Sequence, residues 1–299
     1  MLRTWEVERN AGVYKNHPKA ERDALRLYEG DTRIRDEAGN LLLRQSTDPF
    51  YGNKHAYRTL NALLIPGIDN EFSRIEKEGK QLKTIFAEQL EETIRLYCRI
   101  FSLMCLCRND GKEKKEEIVV KRIERNDSLA LLKDGHTISF FSASKAGYQK
   151  EFAQKDGIIL LEVHIIPDVP YLDLEKVLGK EYLAIDEREI LLPPFVSITV
   201  QEGKLQQADR KIRDLNKKPP LGKYWILADK FPAFVPEPEG YTLAGQMEKE
   251  ILEERETAVN AIHAMNQKNW TQDFSAYCTW KRKFQTYLRY RFLDMWKLI

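Results

Sequence analysis

Between Gly157 and Ile166 the chain reads GIILLEVHII, an apolar run that Pro167 and Pro170 bring to a stop. A run this short, rich in isoleucine and leucine and cut off by prolines, predicts a buried strand. Shorter strand-like runs surround it: Ile118–Ile123, Ser128–Leu132, His136–Ser144, Ile190–Val200 and Gly222–Leu227. The stretch from Glu91 to Cys107 also reads as strand, and Arg108-Asn109-Asp110-Gly111 and Lys133-Asp134-Gly135 supply turns. Short strands therefore dominate from 93 to 230, and they predict a β-rich core.

Helical patterns flank that core. His55–Leu64 reads as a helix, and after Pro66-Gly67 a second helical stretch runs from about Glu71 to Glu92. Phe231–Glu239 (FPAFVPEPE) is proline-rich and marks a boundary. Beyond it, Gln246–Met265 has few helix breakers, and Tyr277–Ile299 interleaves basic residues with aromatic and aliphatic ones. Residues 1–48 are charged and mixed; a hairpin is predicted where Thr32–Arg35 and Leu41–Arg44 flank Asp36–Asn40. The KEKKEE run at Lys112–Glu117 predicts a solvated loop or hairpin tip. The expected class is α+β, divided into a segment 1–48, a domain 49–235 and a helical extension 236–299.

The charges nearly cancel, with 48 Lys and Arg against 46 Asp and Glu, so overall charge gives no argument for a nucleic acid or a membrane surface. No apolar run approaches the roughly 18 residues needed to span a bilayer. MLRTWEVERN has no apolar core of a secretory signal, so a cytoplasmic protein is expected. Cys105 and Cys107 form a C-x-C with no matching Cys/His pair, and the five histidines are scattered, so no metal site is expected. Cys98, Cys105 and Cys107 lie in an apolar segment and are expected to be buried free thiols.

The chemistry-bearing stretch is Asp186-Glu187-Arg188-Glu189-Ile190-Leu191-Leu192-Pro193-Pro194. On a strand, positions i and i+2 face the same way, so Glu187 and Glu189 would project side by side. Paired carboxylates can stabilise a developing cation and activate a nucleophile; an exposed acidic turn is the plainer reading. Upstream, Phe140-Phe141-Ser142-Ala143-Ser144 carries two serines at i, i+2, and further upstream Leu96-Tyr97-Cys98-Arg99-Ile100-Phe101 holds an arginine.

With arginine, serine and glutamate in that order, the chain resembles the mono-ADP-ribosyltransferases of the arginine–serine–glutamate class, which include the clostridial exoenzymes and related bacterial toxins. EREILLPP is similar to their Glu-x-Glu strand, FFSASK to their Ser-Thr-Ser strand with Ala143 at the threonine position, and LYCRIF to their aromatic-arginine strand with Cys98 between tyrosine and arginine. The resemblance covers about residues 50–235. It implies an ADP-ribosyltransferase-type β-sandwich core with a helical lobe before it and a helical extension after it. It implies a toxin-like transferase that moves ADP-ribose from NAD, as substrate, to a macromolecular acceptor, protein or nucleic acid.

The site residues follow from the same resemblance. Glu189 would hydrogen-bond the nicotinamide ribose and stabilise the cation, and Glu187 would activate the incoming nucleophile. Arg99 would pair with the pyrophosphate, since a guanidinium fork suits phosphate; Arg95 and Arg58 compete for that role. Ser142 and Ser144 would support the nicotinamide pocket, or else satisfy turn backbone groups. Tyr148 would stack on the cofactor or pack on the core. Tyr182 lies where the target-recognition loop is expected. A glutamate at position 187 leans toward arginine as acceptor. A toxin of this kind also implies an antitoxin or immunity partner.

Three rival readings remain. An NAD glycohydrolase would use the same residues. A non-catalytic relative would have lost the carboxylates or serines, which are present. A nucleic-acid-binding protein could use the basic aromatic tail Trp280–Phe292, whose alternative is an amphipathic helix burying its aromatics.

Overall fold

The computed structural model describes residues 19–29, 57, 60–61, 63–64, 90–109, 116–149, 153, 156–179, 188–212, 218–233, 240–258, 260 and 274–297. They fall into two compact units, one within His17–Cys105 and Pro236–Ile299, the other within Leu106–Val235. The class is α+β: one unit is helical and the other is built on a sheet.

The sheet unit holds β1 (Ile118–Arg125), β2 (Phe141–Ser144), β3 (Ile158–Ile165), β4 (Leu172–Asp173), β5 (Glu189–Leu192), β6 (Ser197–Gly203) and β7 (Gly222–Lys230). These make a seven-stranded sheet in the order β4-β5-β2-β1-β3-β7-β6. Neighbours are antiparallel except β3 and β7, which run parallel, β7 lying next to the edge strand β6. The GIILLEVHII run is β3, and its Ile158–Leu161 stretch is buried on both faces, as its unbroken apolar character requires. Gly157 opens it at φ +75°, a turn conformation that glycine adopts without a Cβ clash.

Thr137 joins the loop before β2 to the turn after β5. Its hydroxyl donates to the Pro193 carbonyl at 2.8 Å and accepts from Val196 N at 2.9 Å, while its own N–H reaches the Val196 carbonyl at 2.9 Å. Pro193 and Pro194 lack N–H groups, so the ladder of β5 stops there and the threonine supplies the bonds that hold the turn.

Between β1 and β2 the expected strand Ser128–Leu132 is instead a 3-10 turn (Asn126–Ser128) followed by a short helix, α3 (Leu129–Leu132). Leu129 and Leu132 are both buried, an i, i+3 spacing that suits a helix turn rather than a pleat. A second short helix, α4 (Leu174–Leu178), follows β4 and is capped by Asp173, whose carboxylate accepts from Lys176 N at 3.4 Å.

In the helical unit lie α1 (Lys19–Tyr28), most of α2 (Leu90–Asn109), α5 (Gly240–Glu253) and α6 (Phe274–Lys297). The strand expected across Thr93–Phe101 is corrected here: it belongs to α2. Glu91 and Glu92 sit in its first turn and pair with Arg95 at 3.8 and 3.3 Å, one helical turn on. The apolar residues around them are buried on nearly every side of the helix, which erased the periodicity.

α6 packs the basic aromatic tail inward. Phe292 stacks on Phe101 with ring centroids 4.2 Å apart, Phe284 meets Tyr97 edge-on at 6.0 Å, and the Trp280 indole N–H donates to the Ile251 carbonyl at 3.2 Å. Tyr287 donates to Glu248 at 2.7 Å. Tyr57, Leu60 and Asn61 are helical, within the helix expected at His55–Leu64. The hairpin expected at 32–44 and the helix expected at 71–89 lie outside the described residues. No described helix is long and apolar enough to cross a membrane.

Candidate active site

β2 and β5 lie side by side, with Ser144 opposite Glu189, Ala143 opposite Ile190 and Ser142 opposite Leu191. Residues paired directly across a ladder share a face, so Ser142, Ser144 and Glu189 lie on one side of the sheet. The row continues through Lys121 on β1, opposite Ser144, and Glu162 on β3, opposite Lys121. With adjacent strands about 4.8 Å apart, the Lys121 and Glu189 backbones are about 10 Å apart. A half-buried carboxylate, a serine hydroxyl and an ammonium thus occupy successive strands of one row.

The chain enters β5 through Arg188, held at φ +47°, a left-handed conformation that a non-glycine residue adopts at a cost of about 1 kcal/mol. Its carbonyl accepts from Lys145 N at 3.1 Å, which extends the β2–β5 ladder by one bond beyond Ser144 and Glu189. The Lys145 ammonium then reaches the buried Asp173 carboxylate at 2.5 Å. The turn after the serine strand is thereby tied to the cap of α4.

Within that turn, the Ser144 hydroxyl accepts from Ala146 N at 3.0 Å and from Gln149 Nε2 at 2.9 Å. Both lone pairs are engaged, so toward any further group this hydroxyl acts as a donor, the role needed to orient a carboxylate. The turn-satisfying role and the glutamate-orienting role are compatible in the same serine.

Arg122 holds β1 to β2. Its Nη1 donates to the Ser142 carbonyl at 2.5 Å, its Nε and Nη2 reach Glu124 Oε2 at 2.8 and 2.6 Å, and its guanidinium lies 4.7 Å from the Phe141 ring centroid. Burial pushes the Glu124 carboxyl up, but the Arg122 charge and hydrogen bonds, with those of Arg125 N and Ser128, bring it below its ordinary value.

Tyr148 packs against the buried cluster of Ile123, Ala153, Ile158 and Leu160, with the Lys121 ammonium 5.2 Å from its ring centroid. Burial, then the Glu162 and Asp209 charges, push its hydroxyl up. Of the two roles expected for it, this is the core-packing one.

Arg99 lies on α2, in the helical unit, where it pairs with Glu92 at 3.7 Å. Arg95, on the same helix, is about half exposed. The structure does not bring either onto a strand of the sheet unit. Glu187, Tyr182 and Arg58 lie outside the described residues. Sequence reading passed over Lys121 and Arg122. The signal was present in Ile118-Val119-Val120-Lys121-Arg122-Ile123-Glu124-Arg125, a strand with a central arginine that comes before the serine strand in the chain and pairs with it in the sheet. Among the described residues no group of His, Cys, Asp and Glu side chains could hold a metal ion.

No family model and no curated protein matches the chain. Among solved structures it is similar to the catalytic domain of VahC from Aeromonas hydrophila, at 16% identity and a TM-score of 0.41, over 71% of this chain and 100% of that one.

Proposed function

We propose that the chain is a toxin-like mono-ADP-ribosyltransferase that takes ADP-ribose from NAD to a macromolecular acceptor, protein arginine or nucleic acid. In this reading the sheet is the ADP-ribosyltransferase-type core and residues 49–235 include the catalytic domain. The observation that carries the reading is the pairing of the serine strand with the glutamate strand, Ser144 opposite Glu189.

The donor set suits an anionic dinucleotide. A half-buried carboxylate can accept from ribose hydroxyls, while Lys121 on the same row supplies positive charge on the same face. NAD supplies the ADP-ribosyl group and leaves nicotinamide behind. Glu189 orients the ribose and stabilises positive charge as it develops, and a fixed carboxylate does this without reorganising. Ser144 donates its hydroxyl hydrogen to hold that carboxylate in place. Glu187, two residues earlier, activates the acceptor nucleophile, and Tyr182 contacts the acceptor. Lys121 takes the cationic part expected of Arg99, while Arg122, pointing to the other face of the sheet, holds the serine strand through the Ser142 carbonyl. An antitoxin or immunity partner remains part of this proposal.

The test is incubation of the full chain with labelled NAD and a cell lysate, beside Glu189→Gln. Label on protein or nucleic acid that disappears in the variant supports the transferase, and protease and nuclease digestion name the acceptor class. Nicotinamide release without transferred label turns the reading toward a glycohydrolase. Absence of both NAD turnover and NAD binding sinks it.

A further inference from the structure

Farther along the same face of the sheet, where the row through Glu189, Ser144, Lys121 and Glu162 reaches β7, lies an exposed apolar strip. Val119, Trp225 and Leu227 are 44%, 49% and 41% exposed. The registers put them on one face: Val119 is opposite His164, His164 opposite Leu227, and Glu162 opposite Trp225. Thr199 and Gln201 on β6 complete the two rows.

Two observations separate this strip from scattered surface residues. The strip crosses the β3–β7 pair beside the Ile158–Leu161 stretch of β3, which is buried on both faces. In addition, the Trp225 indole lies against Gly203 of the neighbouring strand, where a Cβ would meet Nε1 at 3.3 Å. Its ring is braced from beneath by backbone and keeps about half its surface open to solvent.

The border of the strip is acidic. Lys121 and Lys223 both pair with Glu162, at 3.9 and 3.4 Å, and Lys223 also reaches Asp209 at 3.5 Å. Glu117 meets the His164 ring at 2.5 Å, and Glu116 beside it is exposed. The lysines are taken up by Glu162 and the buried Asp209, so the exposed negative charge at this border is that of Glu116 and Glu117. A guanidinium stacks well on an indole face, and apolar side chains suit Val119 and Leu227.

We propose that this face docks a basic amphipathic segment of a partner protein, with arginine over Trp225, aliphatic side chains on Val119 and Leu227, and further cations toward Glu116 and Glu117. The proposal does not depend on NAD chemistry.

The test uses the full chain and a fluorescein-labelled octapeptide of alternating arginine and leucine, read by anisotropy, with a glutamate–leucine octapeptide as counterpart. Saturable binding of the first is expected, with binding of the second at least about tenfold weaker. Trp225→Ala and Leu227→Lys should each weaken the first by about tenfold. The peptide comparison reads the unaltered protein, so it does not rest on either variant folding. Equal binding of the two peptides, no binding of either, or binding indifferent to both substitutions overturns the proposal. So does a labelled single-stranded oligonucleotide that binds more tightly than the basic peptide through the same two residues.

Discussion

Ser144 and Glu189 stand opposite one another in the β2–β5 ladder, and the same ladder runs on through the bond from Lys145 N to the Arg188 carbonyl. The serine is therefore fixed from three sides: by its strand partner, by the turn that its own hydroxyl closes, and by the Lys145–Asp173 ion pair behind it. Glu189 inherits that rigidity through the backbone. A carboxylate held this way can serve a charge that develops beside it, because no reorganisation is needed at the moment of reaction.

Replacing Glu189 by glutamine keeps the shape and removes the charge. The expected outcome is a folded protein with NAD turnover lowered by about 10²–10³-fold. Nicotinamide release and circular dichroism of the same preparation check both halves. Turnover that survives within a factor of a few would remove Glu189 from the chemistry.

Arg122 and Arg99 should separate cleanly. Arg122→Gln loses the bonds to Glu124 and to the Ser142 carbonyl, so turnover should fall at least about tenfold. Arg99→Gln removes a partly exposed ion pair to Glu92, and exposed pairs are worth at most about 1 kcal/mol, so turnover should be unchanged. The reverse ranking would restore the role to Arg99.

These two arginines also show what was legible in the sequence. The β3 run and the FSAS strand announced themselves, because a short apolar stretch closed by proline or a polar turn has few other conformations, whereas the run expected at Ile190–Val200 is two strands, β5 and β6, parted at Pro193 and Pro194 and placed in different parts of the sheet. The serine–glutamate pairing was legible as order along the chain, whereas its register depends on Thr137 and the turns, which only folding brings together. The strand expected around Arg99 was misread for a physical reason. α2 is buried almost all round, so its helical period vanished beneath Leu96, Tyr97, Cys98, Ile100 and Phe101. Only the Glu91, Glu92, Arg95, Arg99 spacing still marked it as helix.

The Arg122–Glu124 pair carries a pH signature. Burial acts against the Glu124 charge, yet the guanidinium charge and four hydrogen bonds leave its carboxyl below the ordinary 4.5. A carboxyl depressed in the folded state stabilises the fold above its unfolded value and loses that contribution as pH falls through the folded one. Urea midpoints should therefore fall more steeply below about pH 4.5 in the parent than in Glu124→Gln. Parallel curves would mean the pair adds nothing to stability.

Thiol reactivity should divide by burial. The Cys98 thiol is pushed up to about 12 by desolvation foremost, and Cys105 and Cys107 are buried beside it on α2, while Cys278 is partly exposed. Iodoacetamide at pH 8 should alkylate Cys278 in the native protein and the other three only in urea, because the thiolate is the reacting species. Mass spectrometry of the digests gives the order. Prompt native labelling of Cys98 would contradict the packing of α2 against α6.

Trp280 decides what the basic aromatic tail is for. Its side chain is almost wholly buried, it stacks on Phe284 at 5.3 Å, and its N–H satisfies the Ile251 carbonyl. Aromatics enclosed in this way cannot stack on bases, while Arg282 on the same helix remains exposed. Trp280→Ala should therefore cost the helical unit about 3–5 kcal/mol, the usual toll for removing a buried large aromatic, seen as a lower urea midpoint of the helical circular dichroism signal. Removing 277–299 altogether strips Tyr97 and Phe101 of Phe284 and Phe292, so a truncated chain should misfold rather than report on ligand binding. The informative comparison is Arg282→Glu, which leaves the packing alone. If that variant stays fully folded and loses oligonucleotide binding that the parent shows, the exposed edge of α6 binds nucleic acid through charge alone. If Trp280→Ala is as stable as the parent, the helix is not packed as described and its aromatics are available after all.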